Sequence, residues 1–146
     1  MRKGKAVLDF LDSSILVAAH DPDDDSQSAS LDLFLRDGWS TAAHCLAEVY
    51  ATLTGKLQAA PADAARIVEA IGIRGKIVTM TGADITSVIK SAPKRGIRGA
   101  LIYDALIARA ATISGARRIW TLNVDHFQIV TEGASVLRPG RASRAR

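Results

Sequence analysis

Short apolar runs alternate along the chain with longer stretches in which apolar positions recur every three or four residues. This is the alternation of strand and helix that builds an α/β domain around a mostly parallel sheet. Ala6–Leu11 is a largely apolar run suited to a strand covered on both faces. Asp12-Ser13-Ser14 then supplies side chains able to cap a helix over about Ser14–Ala19. His20-Asp21-Pro22-Asp23-Asp24-Asp25 breaks the pattern as a polar loop, and a second helix covers about Ala29–Arg36, ending near Gly38. Trp39-Ser40-Thr41 leads as a short strand into a helix from Ala43 to about Leu57, and Pro61 opens another to about Ile71. Lys76–Met80 reads as a strand, Ala83–Ser91 as a helix, and Pro93–Gly99 as a basic, glycine-containing loop. Ala100–Ile113 is helical, Arg117–Thr121 a strand, and Ser135–Leu137 a last edge strand. No repeat or linker interrupts the pattern, so residues 1–146 read as one domain, with a core over about 6–137 and a tail from 138 to 146.

A chain of 146 residues is about one domain in length. Its 48% hydrophobic and 23% charged residues are those of a globular protein. The single cysteine, Cys45, excludes an internal disulfide, and no CxxC or Cys/His cluster suggests structural zinc, which fits a reducing, cytoplasmic setting. No apolar run approaches the roughly 18 residues of a membrane span. Asp9 and Asp12 interrupt what would otherwise be a signal-peptide core, so the expectation is a soluble, unprocessed protein. The net charge of +4 is local: Arg138, Arg141, Arg144 and Arg146 fall in the tail, and the preceding 137 residues balance 15 basic against 15 acidic side chains. Such a tail suits contact with phosphate or an acidic partner, and equally a solvated terminus.

The informative residues are carboxylates where a core does not want them. Asp12 ends the first apolar strand, at the sheet edge where open parallel sheets bind ligands. Asp104 sits in Ala100–Ala108, a helix apolar nearly all round, with Ala100, Leu101, Ile107 and Ala108 three and four residues away. None of these can neutralise a charge, so the residue needs a proton, an arginine or a bound cation. Glu48 is similarly placed among Cys45, Val49, Ala51 and Thr52, with only His44 polar enough to assist. Asp125 follows the strand Arg117–Thr121 in the turn Leu122–Phe127. Carboxylates from separated segments can thus reach one edge of one sheet. Packed together they repel unless a cation holds them, and oxygen-only donors favour Mg2+ or Mn2+ over zinc. An ion so held suits hydrolysis of a phosphodiester.

Other readings fit less well. Asp21, Asp23, Asp25 and Asp32 follow an EF-hand frame, but Ser26 stands where the turn wants glycine and Pro22 is out of place. Asp9-Phe10-Leu11-Asp12 is one residue too long for the Asp-x-Asp of a haloacid-dehalogenase-like phosphatase, and no aspartate ends Lys76–Met80 as a phospho-receiver would require. His20, His44 and His126 have no metal-ligand spacing, and Cys45 lies on an apolar helix face as a core residue. Tyr103 and Trp120 are expected to pack rather than to stack on bases.

Four blocks in order resemble PIN-domain ribonucleases, in particular the VapC-type toxins of bacterial toxin–antitoxin pairs. They are Phe10–Ala19, His44–Thr54, Tyr103–Ala108 and Ile119–Phe127, and the likeness runs from about Val7 to Leu137. The resemblance implies a Rossmann-like, three-layer PIN fold with a central, mostly parallel sheet of four or five strands flanked by helices. It also implies an acidic pocket for Mg2+ or Mn2+, cleavage of an RNA substrate, homodimers, and a cognate antitoxin protein that blocks the pocket. By that likeness Asp12 and Asp104 are metal ligands, Glu48 binds directly or through water, and Ser13 and Thr121 add hydroxyl contacts. Asn123 stands where the family form has an acid, so either Asp125 substitutes or Asn123 orients a water. Asp9 also lies in the first strand, but the hydroxyls after Asp12 favour Asp12. Lys94, Arg95 and Arg98, just before the Asp104 helix, are candidate RNA-phosphate contacts. The rival of another class is a catalytically inactive PIN-fold module that binds RNA or protein.

Overall fold

Phe10 and Leu11, consecutive in the first strand, are both fully buried, and each enters a different core. Successive strand residues point to opposite faces, so this pair alone requires a sheet covered on both sides. The computed structural model describes residues 9–140. Its first half runs β1 (Asp9–Leu11), α1 (Ser13–Ala19), α2 (Gln27–Leu35), β2 (Ser40–Ala42), α3 (Ala43–Thr54) and α4 (Pro61–Arg74). Its second half runs β3 (Lys76–Val78), α5 (Gly82–Arg95), α6 (Leu101–Ser114), β4 (Arg118–Trp120), α7 (Val124–Val130) and β5 (Ser135–Leu137).

The five strands pair in parallel in the order β3-β2-β1-β4-β5. Leu11 joins Ile15 and Leu16 of α1, Val49 of α3, Ile71 of α4 and the Trp39 ring in one core. Phe10 and Ile119 join Val88 of α5, Ile107 of α6 and Phe127 of α7 in the other. Helices therefore cover both faces of the sheet, giving three layers. From β1 the chain builds outward to β2 and β3, then returns to place β4 on the other side of β1. The strand order reverses there, and the carboxyl ends of β1 and β4 border the resulting crevice.

Trp39 fills the core beside β2, its indole N–H donating to the Phe34 carbonyl oxygen at 2.9 Å. Gly75, at the end of α4, lies against that ring, and a Cβ there would fall inside the ring's van der Waals surface.

Two local expectations are overturned. Pro93, Lys94 and Arg95 belong to α5 rather than to a Pro93–Gly99 loop. Proline removes only one bond near the end of a helix, and the stop comes at Gly96, which takes a left-handed φ of 69°. Its N–H and that of Ile97 bond back to Pro93 and Ala92, and Ala92 and Ile97 are both buried. The turn expected after β4 instead becomes α7, whose Phe127 and Val130, three positions apart, are buried. Of the expected first strand, Ala6–Leu8 lie outside the described residues, as do Arg141, Arg144 and Arg146 of the tail. Among the described residues no helix is long and apolar enough to cross a membrane.

Candidate functional site

Register brings the first two parts of the site together. Leu11 pairs with Trp120 across β1 and β4, so the residues that follow, Asp12 and Thr121, meet at the carboxyl edge of the sheet. Asp12 is 2% exposed. Its Oδ2 accepts hydrogen bonds from the Thr121 hydroxyl at 2.8 Å and the Ser14 hydroxyl at 2.7 Å. Its Oδ1 has only a 3.5 Å contact from the Ser13 hydroxyl, which is at the limit of a hydrogen bond. Asp12 occupies the N-cap position of α1, with its carbonyl oxygen accepting from the Ile15 and Leu16 N–H groups, yet its carboxylate caps nothing. The carboxylate instead meets side-chain hydroxyls of α1 and of the segment after β4.

Both hydroxyls are themselves held. Thr121 Oγ1 accepts from the Asn123 N–H at 2.9 Å, and Ser14 Oγ accepts from the Leu122 N–H at 2.9 Å. The segment leaving β4 and the first turn of α1 thus clamp one carboxylate oxygen between them. Ser14 carries more of this than Ser13, the hydroxyl singled out from the sequence. Its place two residues beyond Asp12, on the first turn of the helix that Asp12 opens, was the available signal.

Asp104 comes in from α6. Its carboxyl is raised above the usual carboxylate range, first by burial, then by the charge of Asp12, with Glu48 adding to the rise and His126 opposing it. The charges of Asp12 and Glu48, from two other segments, thus both reach Asp104. The Asp104 side chain is 21% exposed, and Nδ1 of His126, from another helix, lies 3.4 Å from its Oδ2. His126 comes from the first turn of α7, the helix the sequence pattern did not reveal. Glu48 is half-buried on α3, and its Oε1 is buried without a hydrogen-bond partner.

The remaining candidates are placed as follows. Asp125 and Asn123 are exposed and line a cleft with Leu122, Val124, His126 and Arg138. Asp125 does not figure among the charges acting on Asp104. Asp9 is taken up structurally, its Oδ1 accepting from Arg118 Nε at 2.7 Å and Trp120 Nε1 at 2.9 Å. Arg95 is also committed: it donates to the Val130 carbonyl oxygen at 2.6 Å and lies 3.6 Å from Glu132, tying α5 to the end of α7. Lys94 and Arg98 are exposed. Tyr103, expected to pack, is 59% exposed, one residue before Asp104.

An orphaned buried carboxylate oxygen and a carboxyl destabilised by two others are what an absent cation would leave, so the donor set fits a hard divalent ion. The three carboxylates do not all lie within 4.8 Å of one another; among the described residues, the group of potential ligand atoms that does is His44, Cys45 and Glu48. A wider oxygen-donor set still suits Mg2+, which keeps several waters and takes one or two carboxylates directly.

The fold is that of several solved structures. A Mycobacterium tuberculosis structure, VapC20, described as a sarcin-ricin loop cleaving toxin, is similar with a TM-score of 0.70 at 16% identity, over 87% of this chain and 98% of that one. VapBC2 from Rickettsia felis, bound to a fragment of its promoter DNA, gives a TM-score of 0.64 at 17% identity, covering 91% of this chain and 99% of that one. FitAcB from Neisseria gonorrhoeae gives 0.62 at 17% identity, covering 88% and 96%. At such identities the likeness speaks for the fold. No curated protein matches the sequence. The family model of the PIN domain matches residues 10–132, a stretch that takes in Asp12, Glu48, Asp104 and Thr121, and the chain belongs to the PIN domain family.

Proposed function

We propose that this protein is a metal-dependent endoribonuclease acting as the toxin of a toxin–antitoxin pair. The observation that carries the reading is that the charges of Asp12, at the end of β1, and Glu48, on α3, both act on the carboxyl of Asp104, on α6. Like charges gathered in a partly buried pocket are unfavourable on their own account, and retaining three of them argues for a cation that they serve. These residues would hold Mg2+ or Mn2+, Asp12 and Asp104 directly and Glu48 directly or through water. When bound, such an ion supplies a water of lowered pKa and neutralises charge on a phosphodiester.

The chain's own contribution is positional. Thr121 and Ser14 fix one oxygen of Asp12, and Oδ1 is left for the ion. His126 partly offsets the charge of Asp104. Asp125 and Asn123, on the rim, serve the substrate or an outer water rather than the shared pocket. Lys94 and Arg98 give sequence-independent contact with RNA phosphates, whereas Arg95 is engaged within the fold. Exposed Tyr103 offers a face on which a base can stack beside the pocket. The likeness to VapBC2 supports a cognate antitoxin as partner, and the protein acts as a homodimer in the cytoplasm.

The test is cleavage of labelled RNA with Mg2+ or Mn2+, set against EDTA and an Asp104→Asn variant. Cleavage is expected with either ion and lost in both controls. Cleavage that survives both would remove the mechanism, and no cleavage of any RNA tried would favour a PIN-fold binding module.

A further inference from the structure

The geometry points to a second cation site on α3, built from His44, Cys45 and Glu48 and suited to a borderline transition ion such as Zn2+ rather than to Mg2+. A ring nitrogen of His44, the Cys45 sulfur and a carboxylate oxygen of Glu48 lie within 4.8 Å of one another. His44 and Glu48 are four residues apart, and side chains at that spacing share one face of a helix. Two of the three are also orphaned: Nε2 of His44 and Oε1 of Glu48 are both buried with no hydrogen-bond partner. Buried polar atoms are rarely left unpaired, and two orphans beside a thiol need a common partner. With its proton on Nε2, His44 is a possible donor to Glu48, yet no such bond is made.

The donor chemistry then selects the ion. Nitrogen, sulfur and one carboxylate oxygen suit zinc or cobalt, whereas Mg2+ prefers oxygen throughout. Three protein donors with a fourth position open to solvent is a common zinc arrangement. Here His44 and Glu48 are half-buried and Cys45 is fully buried, its thiol pushed up to about 12 chiefly by that burial, so the ion must displace the thiol proton to solvent as it binds the sulfur. Glu48 belongs to this set and to the oxygen-donor pocket alike, which makes the two sites neighbours sharing one ligand. That sharing rests on the metal-binding role proposed for Glu48; the binding of the transition ion does not.

Co2+, a spectroscopic stand-in for Zn2+, is titrated into the full chain, and Zn2+ affinity is measured by chelator competition. The wild type is expected to bind Co2+ with a thiolate-to-cobalt charge-transfer band. Cys45→Ala should lose the band, and His44→Gln should weaken Zn2+ by at least about tenfold, the lower end of what losing even an outer-shell partner costs. Asp104→Asn leaves all three donors of this site in place and should keep the band, with Zn2+ weakened less than in His44→Gln. Circular dichroism without metal establishes that each variant is folded, and the wild-type spectrum decides the matter even if one is not. A wild type without the band, or a Zn2+ affinity that falls in Asp104→Asn but not in His44→Gln, would overturn the proposal. RNA cleavage is not read in this experiment, so failure of the nuclease assay and failure of the zinc site are separate results.

Discussion

Replacing Thr121 by valine removes one hydroxyl and keeps the shape, so it isolates the clamp on Asp12. The hydroxyl donates to Asp12 Oδ2 at 2.8 Å and accepts from the Asn123 N–H at 2.9 Å. A hydrogen bond to a charged group contributes about 1.5–3 kcal/mol. The lower half of that range applies, because the Ser14 hydroxyl still reaches the same oxygen at 2.7 Å. Asn123 is exposed, so water can replace the acceptor its N–H loses and adds little to the cost. The expected loss is therefore about 2 kcal/mol, and in a domain of about 150 residues each kcal/mol moves the melting point by about 2–4 °C. Urea unfolding in EDTA, with thermal melts alongside, measures both. The same substitution made in an Asp12→Asn background closes a double-mutant cycle, and the coupling should exceed about 0.5 kcal/mol. A destabilisation under about 0.5 kcal/mol, the range of an indifferent surface change, or an additive cycle would refute the clamp.

Asp104 gives a pH test with a definite sign. Its folded-state carboxyl is raised above the ordinary value of 3.8, so the unfolded chain releases this proton more readily than the native one. Its favourable contribution is complete below pH about 3.8 and is lost as pH rises through the elevated folded value. In metal-free protein, the urea midpoint of Asp104→Asn should therefore gain on wild type as pH rises from about 4 to 7; a constant gap would contradict the assignment. Gly75→Ala forces a Cβ into the Trp39 ring, and overpacking of this kind costs about 1–3 kcal/mol. An unchanged urea midpoint in Gly75→Ala would mean the ring is free to move.

The layout of strands and helices was legible because buried parallel strands and amphipathic helices each leave a local pattern, as Phe10-Leu11 and the Pro61 helix do. Pro93 misled because a proline in the last turn of a helix has the same neighbours in sequence as one in a loop, and only the left-handed Gly96 marks the true end. α7 escaped because seven residues carry fewer than two clear periods of apolar spacing. In the site, the acids stood out as charges in apolar surroundings. Their partners did not: Thr121 lies 109 residues from Asp12 and His126 lies on a different helix from Asp104, so both contacts depend on sheet register and helix docking. Arg95 shows the converse. Its position in a basic cluster suggested an open cation, and only its distant partners Val130 and Glu132 reveal a tie within the fold.

The common direction of the five strands also sorts the turns. Gly115 and Gly133, both with positive φ, sit in the turns that lead into β4 and β5, at the opposite ends of these strands from the edge where Asp12 and Thr121 meet. A strand of three residues separates the two rims by about 10 Å at 3.3 Å per residue. A fluorophore or surface tether attached at the Gly133 turn would therefore report on binding without standing in the path of a ligand, and the molecule can be immobilised from behind.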